Sequence, residues 1–404
     1  MKTLILCQVI DLEGTSEGIV SNSFIIKYLK LFPEQDVEIV WISERQGIAN
    51  LSEKLNFDLK TIQIRKRYYT WIENKANGFL NQFLNFNFKD KHKINNYKNA
   101  INQCHLYKYD QIFVRSGGLG FELIRALHGN NYLNKMILYF HDPYPPSIYP
   151  GSNSKFSKSE YFKIKEMRAI VQKAKAVFSP SKKLSADLGF LFGRRFKTLP
   201  HQFDKDIFNN YNTNKNESLD EDYLYIMYHG AIQHNRNLDL VLKAFTELVD
   251  KNPRFEKFKF VIRSKGKEVN HLKKLYDSHK HIMFLKNISA YDSYMEQKKY
   301  ASLSLILETN GEYSNILGGK VPLLVSFNAN ILCLTSRESE LKRLLKHSNK
   351  DYVEYDFNSI EKKLKLKLSN ILDDKEYQNP MINYFSDVRF KQKISKLVKN
   401  NFLY

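Results

Sequence analysis

"YHGAIQHNRNLDLVLKAF", residues 228–245, decides the fold. An apolar run stops at Gly230, passes through a polar loop carrying Arg236, and restarts as a helix near Asn235. Leu238, Val241, Leu242, Phe245 and Leu248 of that helix share one face. Strand, glycine turn and helix in this order make one α/β unit. Such a junction can cradle a phosphate, because a helix start presents unpaired N–H groups and a glycine lets a ligand approach the backbone. It is equally how an ordinary α/β unit turns a corner, so the rest of the chain must decide.

The same alternation fills the chain in both directions. Upstream, "TLILCQVI", "VEIVWIS", "TIQI", "QIFVRS", "MILYFH", "AVFSP" and "FKTLP" read as strands. In the second half "YLYIMYH", "FKFVIR", "IMFL", "LSLILE" and "NILCLT" do. Near-continuous apolar strands separated by helices predict parallel sheets covered on both faces. The expected architecture is α/β, with two Rossmann-like, doubly wound domains facing a cleft. The polar, Asn-rich stretch at 205–222 reads as a linker between an N-terminal domain (1–204) and a C-terminal domain (223–387). Residues 388–404 read as a basic amphipathic helix crossing back to the first domain. From about 66 to 108 the rhythm breaks into a basic, aromatic, helical excursion with Trp71, Phe79, Phe83 and Phe86 at roughly helical spacings.

The 404 residues suit two domains, and a hydrophobic content of 43% with 14% aromatics is enough to fill two cores. The net charge of +20 implies an anionic partner: nucleic acid, an anionic membrane face or a phosphate-bearing small molecule. Nucleic acid is disfavoured, because no recognisable binding motif is present and the aromatics are expected in the cores rather than interleaved with cations. Cys7, Cys104 and Cys333 are scattered, without CxxC or Cys/His spacing, which fits reduced thiols in a cytosolic protein and no zinc site. The run "MKTLILCQVIDLEG" is interrupted by Gln8 and Asp11 and reads as a first strand rather than a signal peptide.

Ligands of doubly wound domains bind beyond the carboxyl ends of the strands, so four loops carry the candidate chemistry. The first, Asp11 to Phe24, holds Gly14 and Gly18 before a helix. The second, "YFHDPYPPSIYPG", places His141 and Asp142 directly after a strand and stiffens them with prolines. An imidazole there could exchange a proton or hydrogen bond with a bound hydroxyl. The third is the opening stretch with Gly230 and Arg236, beside "VIRSKGKE" with Arg263, Lys265, Gly266 and Lys267. Cations beside glycines at adjacent strand ends would suit a diphosphate. The fourth, Leu307 to Ser336, brings Ser314, Asn315 and Lys320 to the start of an apolar helix.

These loops, in this order, resemble those of retaining GT-B glycosyltransferases of family 4. "SPSKKLSADL" followed by "KTLPHQFD" is similar to the segment leading to that family's interdomain link. The opening stretch resembles its donor-phosphate loop, and "YSNILGGKVPLLVSFNANILCLTSRESEL" resembles its nucleotide-sugar segment in a divergent bacterial form. The resemblance implies a nucleoside-diphosphate sugar donor, no further cofactor, no metal, and a glycan or lipid-linked acceptor in surface polysaccharide or glycoconjugate synthesis. It also implies a cytoplasmic protein, with peripheral attachment to the anionic inner membrane surface suggested by the basic segments. By position it assigns Gly14 and Gly18 to the donor-phosphate loop, His141 to the donor sugar, Arg236 to the diphosphate and Lys320 to the nucleotide-sugar segment. Four positions depart from the pattern: Ala231 replaces an Arg, Leu323 the ribose-binding Glu, and His201-Gln202 an Asn-Gly pair. Glu308 or Glu312 could serve in place of the missing Glu. The alternatives are a nonenzymatic basic protein bound to an anionic membrane or nucleic acid, and another two-domain nucleotide-sugar enzyme such as an inverting transferase or an epimerase, the last of which would need paired carboxylates that the sequence does not place.

Overall fold

The computed structural model describes residues 1–11, 16–44, 55, 57–84, 86–211, 219–233 and 235–399. Gly14 and much of the expected linker lie outside them. The chain divides into two compact units, Met1–Asn210 and Tyr211–Tyr404.

Unit 1 is built on seven parallel strands: β1 (Lys2–Cys7), β2 (Asp36–Ser43), β3 (Lys60–Gln63), β4 (Gln111–Arg115), β5 (Met136–Tyr139), β6 (Ala176–Ser179) and β7 (Lys197–Thr198). Their spatial order is β3-β2-β1-β4-β5-β6-β7, so the winding reverses between β1 and β4. Leu4, Ile5, Leu6 and Cys7 are completely buried, as a central strand covered on both faces requires. Helix α1 (Ser16–Leu31) covers one face, where Phe24 and Tyr28 pack edge-on against Phe113. Two more helices follow β3, α2 (Trp71–Leu84) and α3 (Phe88–Asn102), then α4 (Glu122–Arg125), α5 (Lys158–Lys173) and α6 (Lys182–Phe192).

In α2 the expectation of buried aromatics fails. Trp71, Ile72, Phe79 and Phe83 are 60–72% exposed, and Asn77 is the buried residue of the helix. The helix presents its polar side to the protein. Asn77 Oδ1 accepts the Lys89 N–H at 3.2 Å, and Glu73 accepts the Thr70 N–H and pairs with Arg67.

Unit 2 has six parallel strands in the order β10-β9-β8-β11-β13-β15, reversing between β8 and β11, plus the short pair β12-β14. The strands are β8 (Leu224–His229), β9 (Phe258–Arg263), β10 (Ile282–Leu285), β11 (Ala301–Leu307), β12 (Tyr313–Ser314), β13 (Ile331–Thr335), β14 (Glu338–Ser339) and β15 (Tyr352–Glu354). Helices α7 (Asp239–Lys251), α8 (Lys267–Tyr276), α9 (Ala290–Tyr300), α10 (Lys320–Ser326), α11 (Glu340–Leu345), α12 (Phe357–Leu372) and α13 (Asp387–Lys399) connect and flank them. The apolar stripe of α7 packs on the sheet, with Phe245 against Phe260. This helix starts at Asp239 rather than near Asn235, because Asn235 adopts φ +58 and is tied to the loop after β11. The Asn310 N–H donates to Asn235 O at 3.0 Å, and Asn235 Nδ2 donates to Asn310 O at 2.6 Å.

All three cysteines are free and buried, Cys7 inside β1 and Cys333 inside β13. Among the described residues no helix is long and apolar enough to cross a membrane.

Candidate functional site

At the carboxyl edge of the first sheet, His141 follows β5 and is 7% exposed. Its ring stacks on Phe121 at 4.9 Å. Nε2 lies 3.2 Å from a Glu17 carboxylate oxygen and 3.6 Å from one of Asp142, while Nδ1 is 3.5 Å from Ser116 Oγ. Burial alone would push the imidazole down, but Glu17 and then Asp142 more than reverse this against the opposing charge of Arg115. His141 therefore sits above the ordinary histidine value. Burial likewise raises Glu17, yet His141 and the Gly118 N–H, which donates to it at 3.0 Å, hold it below the usual carboxylate range. The result is a coupled imidazole–carboxylate pair that favours the charged forms, its carboxylate in the first turn of α1, where the helix N-terminus also favours a negative charge. One ligand atom from each of Glu17, His141 and Asp142 lies within 4.8 Å of the others, a spacing that could also hold a cation.

Beside this pair, Arg115 ends β4 at the reversal point of the sheet, in register with Cys7 and Tyr139. It is 4% exposed, and its guanidinium lies between the rings of Phe24 and Tyr139 at 4.5 and 4.3 Å. Its Nε has no hydrogen-bond partner, and among the described residues no carboxylate pairs with it. Tyr139 Oη contacts Leu199 O at 3.1 Å and His201 Nδ1 at 3.0 Å. Burial, with the charges of Arg115 and His141, keeps His201 neutral. Gly18 has a packing duty: a Cβ there would sit 1.6 Å from Asp11 O, so the glycine lets α1 close onto the end of the first strand.

In unit 2, two loops converge at the reversal point. Gly230 follows β8 with φ +157, and a Cβ on it would lie 2.4 Å from Lys320 Nζ at the start of α10. Tyr228 Oη donates to Ala231 O at 2.8 Å, and Arg236 Nη1 reaches the same carbonyl at 3.2 Å, leaving Nε unpartnered. Dense surrounding protein, then the Arg236 charge, push the Lys320 ammonium below its ordinary value; the side chain is still open to solvent, and hydration moderates the shift. No carboxylate among the described residues pairs with either cation. Two neighbouring cations without a carboxylate partner, beside a glycine, could attract an anion.

The remaining candidates behave differently. Lys265 stands exposed before Gly266 and makes no ion pair or hydrogen bond with the described residues. Arg263 is not available to a diphosphate. It is 7% exposed and grips both oxygens of buried Glu296 at 2.7 and 2.6 Å, with Nη1 on Lys286 O at 2.6 Å. His229 completes this group, with Nε2 3.3 Å from Glu296 and Nδ1 2.8 Å from Ser293 Oγ. Ser314 and Asn315 are buried, Ser314 paired with Ser339 in the β12-β14 ladder. Of the possible substitutes for the missing Glu, Glu312 is exposed and pairs with Arg337. Glu308 is buried at the end of β11, accepts the Ser336 N–H and is pushed up to about 8 by burial. Leu323 is a buried apolar residue.

Glu17 and Arg115 are absent from the sequence-derived candidates. Each had a signal: an acid in the first turn after the first strand, and a cation closing an otherwise apolar strand.

No protein-family model matches the sequence, and no curated protein matches it. Solved structures do match in fold. A glycosyltransferase from Rickettsia africae aligns with a TM-score of 0.62 at 14% identity, over 98% of both chains. Sucrose-phosphate synthase from Thermosynechococcus elongatus gives 0.65 at 11% identity, over 100% of this chain and 99% of that one. UDP-GlcNAc 2-epimerase from Methanocaldococcus jannaschii gives 0.58 at 14% identity, over 99% and 100%. The chain thus has the fold of two Rossmann-like units found in GT-B glycosyltransferases.

Proposed function

We propose that this protein is a family 4-like glycosyltransferase that moves a sugar, with retention and without a metal, from a nucleoside-diphosphate sugar to a glycan or lipid-linked acceptor. Bacterial surface polysaccharide or glycoconjugate synthesis is the setting that fits this reading. The observation that carries it is the meeting of Gly230, Arg236 and Lys320 at the reversal point of the second sheet, two cations with no carboxylate to neutralise them.

In this reading Arg236 and Lys320 hold the diphosphate and stabilise the charge that develops as it leaves. Glycine at 230 lets the phosphate approach the backbone. Glu17 raises His141, so a larger share of the imidazole is protonated and able to donate hydrogen bonds to sugar oxygens than in an ordinary histidine. The acceptor hydroxyl gives its proton to the departing phosphate.

Thermal stabilisation by UDP, GDP, CMP and dTDP, with and without EDTA, tests the proposal. One nucleotide at about a hundred times its Kd should stabilise the protein by about 2.7 kcal/mol, independently of EDTA, and an Arg236→Ala, Lys320→Ala double variant should lose the effect. Failure of every nucleotide to raise Tm would sink the proposal, and a stabilisation that vanishes with EDTA would remove its metal-free clause. A second reading, sugar-nucleotide epimerisation, draws on the Glu17 and Asp142 carboxylates flanking His141, the pair such chemistry needs. Release of free nucleoside diphosphate identifies transfer; a sugar nucleotide recovered with an inverted carbon identifies epimerisation.

A further inference from the structure

The geometry points to α2 as a docking surface for an anionic lipid bilayer, lying flat in the headgroup region. Residues along an α-helix are rotated by 100° each, so Ile72, Phe79 and Phe83 fall on one narrow stripe, continued by Phe86 just past the helix end. All four are exposed, by 42–72%. On the opposite side Asn77 is buried and Leu80 and Asn81 are half-buried, so the inward side is mostly polar. A helix that serves only its own domain buries the apolar stripe and hydrates the polar one. Here the arrangement is inverted, and a contiguous exposed apolar patch of this kind marks an interaction surface.

Charge complementarity selects the occupant. Lys66, Lys75 and Lys91 are exposed around the stripe and lie over the rings of Tyr68, Trp71 and Phe86 at 5.3, 3.9 and 5.5 Å. The nearby acids are already neutralised within the protein, Glu73 by Arg67 and Asp90 by Arg125. Cations flanking an apolar helical stripe, with Trp at its border, match the chemistry of an anionic interface, where acyl chains accept the stripe and headgroups the ammonium groups. A nucleic acid strand fits less well. Phe79 and Phe83 pack on each other at 4.6 Å between ring centres, too close to admit a base, and Ile72 offers no stacking face. This inference is independent of the chemistry at the sugar site.

The chain carries its own reporter. Of its two tryptophans, Trp41 is 1% exposed and Trp71 68% exposed, so changes in emission and quencher access report on α2. The full-length protein is floated with vesicles of phosphatidylcholine alone or mixed with phosphatidylglycerol. Flotation with the mixed vesicles, a blue shift of Trp71 and its protection from iodide are expected. Phe79→Ser with Phe83→Ser should weaken binding at least about tenfold by removing buried apolar area, with an unchanged thermal midpoint because both side chains are exposed. Neutralising Lys66, Lys75 and Lys91 to Gln should weaken it about fivefold per charge. Equal binding by wild type and the Phe variant would overturn the inference. So would a Trp71 shift produced by a single-stranded oligonucleotide but not by vesicles, or one that follows protein concentration alone and reveals a second copy as the occupant.

Discussion

Glu296→Gln separates a structural Arg263 from a ligand-binding one. Wild-type Glu296 takes both forks of the guanidinium at 2.7 and 2.6 Å, and both side chains are 7% exposed. The amide keeps the shape but removes the charge and one acceptor, leaving a buried guanidinium without a counter-charge. Breaking one side of a buried ion pair costs about 3–5 kcal/mol. The surviving acceptor and the Lys286 carbonyl place this case near the lower end. For a unit of this size each kcal/mol moves the midpoint by about 2–4 °C, so a fall of about 6–12 °C is expected. Far-ultraviolet circular dichroism is the suitable probe, because both tryptophans lie in unit 1. The pH dependence follows the same network. Burial holds His229 below its ordinary value and its partners hold Glu296 below the carboxylate range. The unfolded chain therefore takes up protons first, so stability is complete above about pH 6.5 and falls as the solution is acidified. Glu296→Gln should flatten the lower part of that fall. A midpoint shift below about 2 °C would refute the reasoning, as would tighter nucleotide binding by the variant, since that would mean Glu296 had been masking Arg263 as a ligand.

Glu17→Gln removes the larger of the two carboxylate charges that raise His141 and leaves Asp142 alone against burial and Arg115, which lower it, so the imidazole should titrate at lower pH than in the wild type. Proton NMR, with the resonance assigned through His141→Gln, checks this, and an unmoved titration would refute the pairing. In the wild type this pair stabilises fully between about pH 4.3 and about pH 6.5; the contribution is lost as pH rises through the folded value of His141 and as it falls through that of Glu17. Gly18→Ala and Gly78→Ala form a contrasting pair. The first drives a Cβ to 1.6 Å from a backbone oxygen and should cost about 3 kcal/mol or more. The second meets nothing within 4 Å on α2 and should gain up to about 1 kcal/mol. Urea denaturation compares them, and equal effects would contradict the assigned packing.

The strands of both sheets were legible because a parallel strand covered on both faces is near-continuously apolar, as "LILC" in β1 and "FVI" in β9 are. The edge strand Tyr352–Glu354 and the two-residue β12 and β14 were not, since so few residues produce no apolar run. Periodicity found the stripe on α2 but not its direction: spacing states which residues share a face, and the burial of Asn77 with its contact to the Lys89 N–H states which face turns inward. The onset of α7 was misplaced because the left-handed turn at Asn235 depends on Asn310, distant in sequence. At the sites, His141, Arg236 and Lys320 could be picked out from loop position. Arg263, at the end of β9, could not be excluded, since the carboxylate that captures it lies 33 residues away on α9.

The cysteines sealed inside β1 and β13 give each unit a private clock. Burial pushes the Cys7 thiol up to about 12 and that of Cys333 upward as well. Neither offers thiolate to a reagent while its strand remains in place. Cys7 reacts when the first sheet opens and Cys333 when the second does, so alkylation followed peptide by peptide, which keeps Cys104 apart, resolves two opening rates without an engineered label. Cooperativity between the units, or its absence, is thereby written into residues that take no part in the chemistry.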